Sequence, residues 1–290
     1  MEELISKAAT LIEALPYVQR FRREIFVIKY GGSFMDSPNE EERHRVARDI
    51  VFLEAVGINP VVVHGGGKAI TRALNQAGMK AEFVQGHRVT DSATVDVVER
   101  VLSREINPEI VKAIQDFGGK ARGYSGTNIY RSRKFTVKDE HERDVDLGFV
   151  GEVIDLNIDP LRECIRRSVT PVISPTARGH GKVYNCNADI AAARTAIALR
   201  ARRLVFMSDV PGLLRDPTDE TTLMTHLRAE EVPELKRSGV IDQGMIPKVD
   251  SAVAAIERGV EKVQFVDGRI PHSILLEIFT DAGVGTEVVK

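Results

Sequence analysis

Apolar positions follow two rhythms along this chain. Near the N-terminus Leu4, Ile5, Ala8, Leu11, Ile12 and Leu15 fall on one face at helical spacing, which predicts an amphipathic helix over residues 3–15 that ends where Pro16 interrupts the pattern. Such a helix either packs on its own domain or buries its stripe on another subunit. From Ile25 the rhythm changes to short β-branched runs, Ile25–Tyr30, Pro60–His64, Thr170–Ser174, Arg203–Ser208 and Lys262–Val266, separated by longer stretches of helical periodicity. Runs unbroken by polar residues, such as Val61-Val62-Val63, predict strands covered on both faces, and hence an α/β fold with a mainly parallel sheet. Helices are predicted over 40–56, 67–77, 92–105, 108–117, 187–200, 228–238, 244–258 and 272–279. Lys134–Lys138 and Phe149–Ile154 read as antiparallel hairpin strands over a site, joined by a charged, solvated loop, Lys138–Asp146. The strand–helix alternation restarts near residue 200, which sets a lobe boundary there.

Composition narrows the class. The chain has 290 residues, 43% of them apolar, with Lys+Arg 40 against Asp+Glu 42 for a formal charge of −2. That length buries a core without staples, and the balanced charge argues against nucleic acid or an anionic membrane as the main partner. Two cysteines, Cys164 and Cys186, show no disulfide or metal-ligand spacing, so a reducing, cytoplasmic setting is expected and no metal ligands are assigned. No stretch has the length and apolarity of a membrane span or an export signal.

The chemistry concentrates where two strands run into glycines: Lys29-Tyr30-Gly31-Gly32-Ser33 and His64-Gly65-Gly66-Gly67. Each precedes a predicted helix. Glycine allows close approach of a ligand to the backbone, and amides at a helix N-terminus carry partial positive charge. Two such loops at the carboxyl ends of strands in one sheet make a phosphate cradle; the alternative is a pair of tight turns. Gly67-Lys68-Ala69 and Gly181-Lys182-Val183 lack the Ser/Thr of a P-loop, and Gly65-Gly66-Gly67 is not followed by the dinucleotide fingerprint, which removes the main support for a nicotinamide oxidoreductase. Asp189 and Asp209 each suit a helix cap or turn as well as a site. Pro247 puts Lys248 near a helix N-terminus, where a cation is disfavoured unless an anion lies beside it, a hint of phosphate.

Taken in order, Lys29-Tyr30-Gly31-Gly32, His64-Gly65-Gly66-Gly67, Gly86-His87-Arg88-Val89-Thr90, Asn185-Cys186-Asn187-Ala188-Asp189, Ser208-Asp209-Val210-Pro211-Gly212 and Gly244-Met245-Ile246-Pro247-Lys248 resemble the amino acid kinase family, and within it the members that phosphorylate N-acetyl-L-glutamate. The arm ending Pro16-Tyr17-Val18-Gln19-Arg20-Phe21 and the tail His272–Thr280 with Gly283-Val284-Gly285-Thr286 resemble the arginine-inhibited hexameric branch. The resemblance implies an open, mainly parallel αβα sandwich in two lobes: an oligomerisation helix at 1–20, an acceptor-binding lobe at 21–200 and an ATP-binding lobe at 201–290.

It further implies ATP with Mg2+ held mainly by the nucleotide phosphates, and phosphorylation of a side-chain carboxylate that is already ionised and needs no general base. Lys29 and Lys248 match the two transition-state lysines and Asp189 the carboxylate that orients them. Gly66 and Gly67 match glycines at the acceptor and transferring phosphoryl, Arg88 and Asn185 match acceptor contacts, and Gly31, Gly32, Ser208 and Asp209 match phosphate or ATP contacts. L-arginine as inhibitor is expected between the arm and the tail, with Glu277 facing its guanidinium and the backbone of Gly283–Gly285 near its amino-acid end; the alternative for Glu277 is an exposed helix glutamate. The implied assembly is a homohexamer, a trimer of dimers, and no residue pattern speaks for a signalling-protein partner. Phe34, Lys68 and His87 depart from the commonest family pattern and leave open either a repacked wall or a reshaped acceptor pocket. Beside this reading stand a same-fold kinase for another acidic amino acid and a non-catalytic amino-acid sensor; the latter has no need of cations from both lobes.

Overall fold

The computed structural model describes residues 1–37, 39–241 and 244–290, and the side chains of Glu2, Glu3, Lys7, Phe34 and Asp36 fall outside the description, so the alternatives for Phe34 lie outside it too. In chain order the elements are α1 (Glu2–Phe21), β1 (Ile25–Tyr30), α2 (Glu40–Ala55), β2 (Asn59–His64), α3 (Gly67–Gln76), β3 (Phe83–Val84), β4 (His87–Arg88) and α4 (Ser92–Glu99). A run of π-helix, Arg100–Ile106, leads into α5 (Asn107–Asp116), then β5 (Ala121–Tyr124), β6 (Tyr130–Lys138), β7 (Asp144–Leu156), α6 (Asp159–Arg166), β8 (Thr170–Ile173), β9 (Thr176–Gly179) and β10 (Lys182–Cys186). The remainder comprises α7 (Ala188–Leu199), β11 (Arg203–Ser208), β12 (His226–Arg228), α8 (Val232–Arg237), α9 (Ile246–Glu257), β13 (Lys262–Asp267), α10 (Ser273–Phe279) and β14 (Thr286–Val289).

Eight strands form one sheet in the order β12-β14-β13-β11-β1-β2-β8-β5. Its pairs are parallel except β13 with β14 among the described residues. Strands from the first 173 residues lie to one side of the β1–β11 seam and strands from residue 203 onward to the other. Strand alternation explains why the runs contain so little polarity. Phe26, Ile28 and Val62 face a layer with Ile50, Leu53 and Ile114, whereas Val27, Val61 and Val63 face Ala192, Ala196 and Ala252 on the other side. Burying both faces contributes about 1.5–3 kcal/mol for each large side chain. The fold is thus the open, mainly parallel αβα sandwich that was expected.

Two expectations are corrected. Pro16 does not end the first helix, which runs on to Phe21 with the proline inside it. A proline in a helix interior costs about 3 kcal/mol, but the last turn is anchored: Phe21 is fully buried, 5.3 Å from the Phe26 ring and under the Arg203 guanidinium at 4.7 Å. Tertiary packing outweighs the lost hydrogen bond. The charged loop expected over Lys138–Asp146 is shorter than that, confined to residues 139–143, with both ends of the stretch in strand. β6 and β7 extend to Lys138 and Asp144, and Lys134–Asp146 and Lys138–Asp144 ion pairs lace the hairpin end across the ladder. Together with β9 and β10 this hairpin closes a small barrel beside the sheet. The charged residues suit both a loop and a solvated hairpin end, which is why polarity alone misleads. No described helix is long and apolar enough to cross a membrane.

Candidate active site

The strand parity that buries Phe26 and Ile28 against α2 turns Lys29 to the opposite side, toward the N-terminus of α7. Its ammonium lies 3.0 Å from Asp189 Oδ1, and both residues are buried. The lysine stem passes over Gly31 so closely that a Cβ there would sit 2.5 Å from Nζ, so any side chain at this first glycine would push the ammonium from its place.

Asp189 is not the cap of α7. Asn187 is: its side-chain oxygen accepts the amides of Asp189 at 2.8 Å and Ile190 at 3.1 Å. This frees the Asp189 carboxylate in the first turn of the helix, where the dipole favours an anion. From the other half of the sheet Lys248, in the first turn of α9, donates to Asp189 Oδ2 at 3.0 Å. The anion that relieves the unfavourable helix position of Lys248 is therefore, in this structure, a protein carboxylate. Burial pushes the Asp189 carboxyl upward, yet the Lys29 and Lys248 charges and their hydrogen bonds outweigh it and hold it at about 2. Two cations against one anion leave an excess positive charge in a buried place, which is suited to a phosphoryl group.

Lys29, Gly31, Gly32, Gly66, Gly67, Asn187 and Asp189 line a hollow of about 270 Å³. Gly65 donates to the Tyr30 carbonyl at 2.7 Å, so the two loops touch and form one floor. Gly32 has φ of 139°, a conformation natural to glycine. The hollow therefore collects helix-terminal amides and the Lys29 ammonium, with Lys248 on the other oxygen of Asp189, the inventory of an anion site.

Beyond Gly67 a second, wider hollow is lined by Lys68, Thr71, Phe83 and Arg88. Arg88 Nη2 donates to the Gly67 carbonyl and to Thr71 Oγ1, both at 2.9 Å, and the guanidinium stacks on Phe83 at 4.7 Å. Its Nη1 is buried and has no hydrogen-bond partner among the described residues. Burial pushes the guanidinium downward. An orphan donor of this kind is an invitation to a carboxylate. Asn185 donates to Thr90 Oγ1 at 3.3 Å, on the strand that leads to Asp189. His87 alternates with Arg88 and packs instead on Phe135, ring centroids 4.9 Å apart; it repacks a wall and does not line the Arg88 hollow, whereas Lys68 does.

Ser208 ends β11 with its hydroxyl buried and without a hydrogen-bond partner among the described residues. Asp209 Oδ1 accepts the Ser33 amide at 2.6 Å and the Ser33 hydroxyl at 2.8 Å, which ties the first glycine loop to the other half of the sheet. Glu277 is buried rather than exposed. Gln264 donates to its Oε1 at 2.8 Å, and the amides of Val284 and Gly285 donate to Oε2 at 2.7 and 3.1 Å. It thus fixes the tail beside a hollow of about 450 Å³ lined by Tyr17, Arg20, Arg203, Glu277, Gly283 and Gly285. Sequence reasoning passed over Asn187 as the cap, although Asn two residues before Asp at a helix start is a capping signal. It also passed over Thr71 and Phe83, which face Arg88 only after folding.

The amino acid kinase family pattern matches residues 24–267. The chain belongs to the amino acid kinase family. The matched span of this kinase holds Lys29, both glycine loops, Arg88, Asp189 and Lys248. The acetylglutamate kinase of Akkermansia muciniphila is 45% identical over 289 residues, 99% of this chain and 97% of that one. That of Carboxydothermus hydrogenoformans is 47% identical over 292 residues, 99% of each. Among solved structures, N-acetylglutamate synthase from Neisseria gonorrhoeae complexed with coenzyme A and N-acetyl-glutamate matches with a TM-score of 0.85 at 25% identity; the match covers 98% of this chain and 63% of that longer one. The same synthase complexed with coenzyme A and L-arginine matches with a TM-score of 0.79 at 26% identity, over 98% of this chain and 65% of that one.

Proposed function

We infer that this kinase transfers the γ-phosphoryl group of ATP to the side-chain carboxylate of N-acetyl-L-glutamate, forming N-acetyl-L-glutamyl 5-phosphate in L-arginine biosynthesis. The observation that carries the chemistry is the meeting of Lys29 and Lys248, from opposite halves of the sheet, on one carboxylate at a floor of glycine amides. Full-length relatives at 45–47% identity support the acceptor.

The acceptor carboxylate is ionised near neutrality, so its oxygen attacks phosphorus without loss of a proton. One P–O bond forms to the acceptor as the bond to the bridging oxygen breaks, and the electron pair departs on ADP. The obstacle is the approach of an anion to a polyphosphate, which positioning and fixed positive charge overcome. Lys29 and Lys248 supply that charge, and Asp189 holds them in place. The amides of Gly32, Gly66 and Gly67 receive the equatorial oxygens, and Arg88 with Asn185 grips the acceptor. ATP occupies the half that begins at residue 201, past Ser208 and Asp209, a division supported by the β1–β11 seam. Asp189 is flanked by the Lys29 and Lys248 ammonium groups at 3.0 Å, surroundings that suit an anion better than a metal ion, and a Mg2+ ion brought with ATP would be held mainly by the nucleotide phosphates.

Coupled measurement of ADP release with N-acetylglutamate, glutamate and aspartate in parallel is expected to give turnover chiefly with N-acetylglutamate. Arg88→Ala is expected to raise the KM for that acceptor by roughly 10- to 100-fold, the range for a lost charge-assisted hydrogen-bond pair. Turnover with another acceptor alone would overturn the assignment, and an Arg88→Ala effect confined to the ATP KM would reverse the lobes.

The regulatory reading joins the arm and the tail. Leu4, Ile5, Leu11 and Ile12 are 61–68% exposed on α1, an apolar stripe in search of cover and consistent with a hexamer built through this helix. The hollow between α1 and the tail carries Glu277, Asp281 and Glu287 as well as Arg20, Arg203 and Lys262, charges of both signs that match an amino acid with a cationic side chain. L-Arginine is the inhibitor this site fits. Deletion of residues 1–20, cut just before the core residue Phe21, is expected to abolish the hexamer in analytical ultracentrifugation and to weaken arginine inhibition while turnover persists. Unchanged inhibition in the truncated protein would remove the effector proposal.

A further inference from the structure

His64 is the last residue of β2 and is completely buried, immediately before the glycine triplet. Strand alternation turns it with Val62 toward the α5 side, away from Lys29 and Asp189. Its Nδ1 lies 2.9 Å from the Gly65 carbonyl oxygen and its Nε2 lies 3.2 Å from Asn107 Nδ2. The same Asn107 nitrogen donates to the Val172 carbonyl at 3.0 Å.

Chemistry assigns the protons in this chain of groups. A carbonyl only accepts, so Nδ1 bears the hydrogen; an amide nitrogen only donates, so Nε2 is bare. Burial pushes the imidazole down to about 4, against a smaller upward push from the Gly65 hydrogen bond, and the neutral form therefore persists through physiological pH. Asn107 is placed by an unusual backbone: it opens α5 directly after the π-helical run Arg100–Ile106. Leu102 and Ile106 of that run crowd Gly66, where a Cβ would come within 2.7 and 2.5 Å of their methyl groups. The wide turns thus bring a wall and a hydrogen-bonding amide up behind the glycine loop, a known use of π-helical segments near sites.

The consequence lies in the peptide linking Gly65 to Gly66. A trans peptide points its carbonyl and its N–H in opposite directions. With the Gly65 oxygen drawn back to His64, the Gly66 N–H faces away from the imidazole. Rotation of that plane would instead bring a carbonyl dipole toward the anion.

We propose that His64 is a positioning residue for phosphoryl transfer, its Nδ1–H tautomer selected by Asn107 so that the Gly65–Gly66 peptide presents its N–H, not its oxygen, to the transferring group. The proposal rests on the kinase reading of this site and assigns the floor a support behind it.

Two substitutions separate the ring nitrogens. His64→Asn keeps a donor near the place of Nδ1, whereas His64→Gln keeps a group near the place of Nε2 and none at Nδ1. His64→Gln is expected to lower kcat roughly 100-fold with the ATP KM within about threefold of wild type, the scale of a misplaced contact at the reacting group. His64→Asn is expected to recover at least about tenfold of that loss. Equal kcat losses in both, or a smaller loss in the Gln variant, would overturn the assignment. In parallel, 15N NMR of the wild-type imidazole without substrates is expected to show a protonated Nδ1 and a bare Nε2 from pH 8 to 5. The opposite tautomer, or an imidazolium at pH 7, would overturn it equally. The spectrum needs no substrate, so it decides the tautomer even if wild type ignored N-acetylglutamate, the result that would count against the functional reading alone.

Discussion

Lys29→Ala and Lys248→Ala are each expected to lower kcat by roughly 10²–10³-fold, the scale for removing one preorganised charge donor from a transition state. Acceptor KM should change far less, because the charge that these groups meet grows along the reaction coordinate rather than on binding. The two effects are not expected to multiply. Both ammonium groups rest on the oxygens of one carboxylate, 3.0 Å away in each case, so removal of one leaves Asp189 free to draw the other off its target. The double variant should therefore lose less than the product of the single losses, a coupling that a double-mutant cycle on kcat reads directly. A single alanine variant within threefold of wild type would show that its lysine serves packing and not transfer.

Asp189→Asn is expected to damage both turnover and stability. The amide cannot accept from two ammonium groups as a carboxylate does, and it leaves the buried Lys29 and the half-buried Lys248 without their counter-charge, a loss of up to about 3–5 kcal/mol for a broken buried pair. The pH dependence follows from the depressed carboxyl. Its folded value of about 2 lies below the value of roughly 3.9 in an unfolded chain, so the charged form stabilises the fold above about pH 4 and that contribution is lost as pH falls toward 2. In urea unfolding the wild-type advantage over Asp189→Asn should be constant from pH 5 to 7 and shrink between about pH 4 and 2. An advantage that instead grew on acidification would contradict the ion-pair account.

Much of the sheet was legible in residue order because its central strands are buried on both faces, and nothing but unbroken β-branched runs satisfies that environment. Ile25–Tyr30 and Arg203–Ser208 emerge with the expected limits. The small barrel was only half legible. β9 and β10 are short, and their two-residue connection, His180-Gly181 with φ of 46° and 75°, is a hairpin turn whose signal is one glycine after a residue seldom found there. α6 escaped because Asp159–Arg166 carries four charged residues in eight and only a narrow apolar edge, Leu161, Cys164 and Ile165. At the site, Lys29, Asp189 and Lys248 were nameable as candidates, but their convergence depends on strand parity and on two helix N-termini meeting across the seam. Arg88 was nameable too, whereas its partners Thr71 and Phe83 are 17 and 5 positions away, and their relevance exists only in three dimensions.

β11 places very different company at its two ends. Arg203 at the first residue lies over Phe21, the root of the N-terminal helix, and Ser208 at the last stands at the edge of the half proposed to hold ATP. Five residue steps at roughly 3.3 Å each make that span about 16 Å of hydrogen-bonded strand. A torque on the arm, whether from a neighbouring protomer or from a guest wedged beside Arg203, is thus delivered to a stiff rod clamped between β1 and β13, and a stiff rod passes on at one tip the displacement it receives at the other.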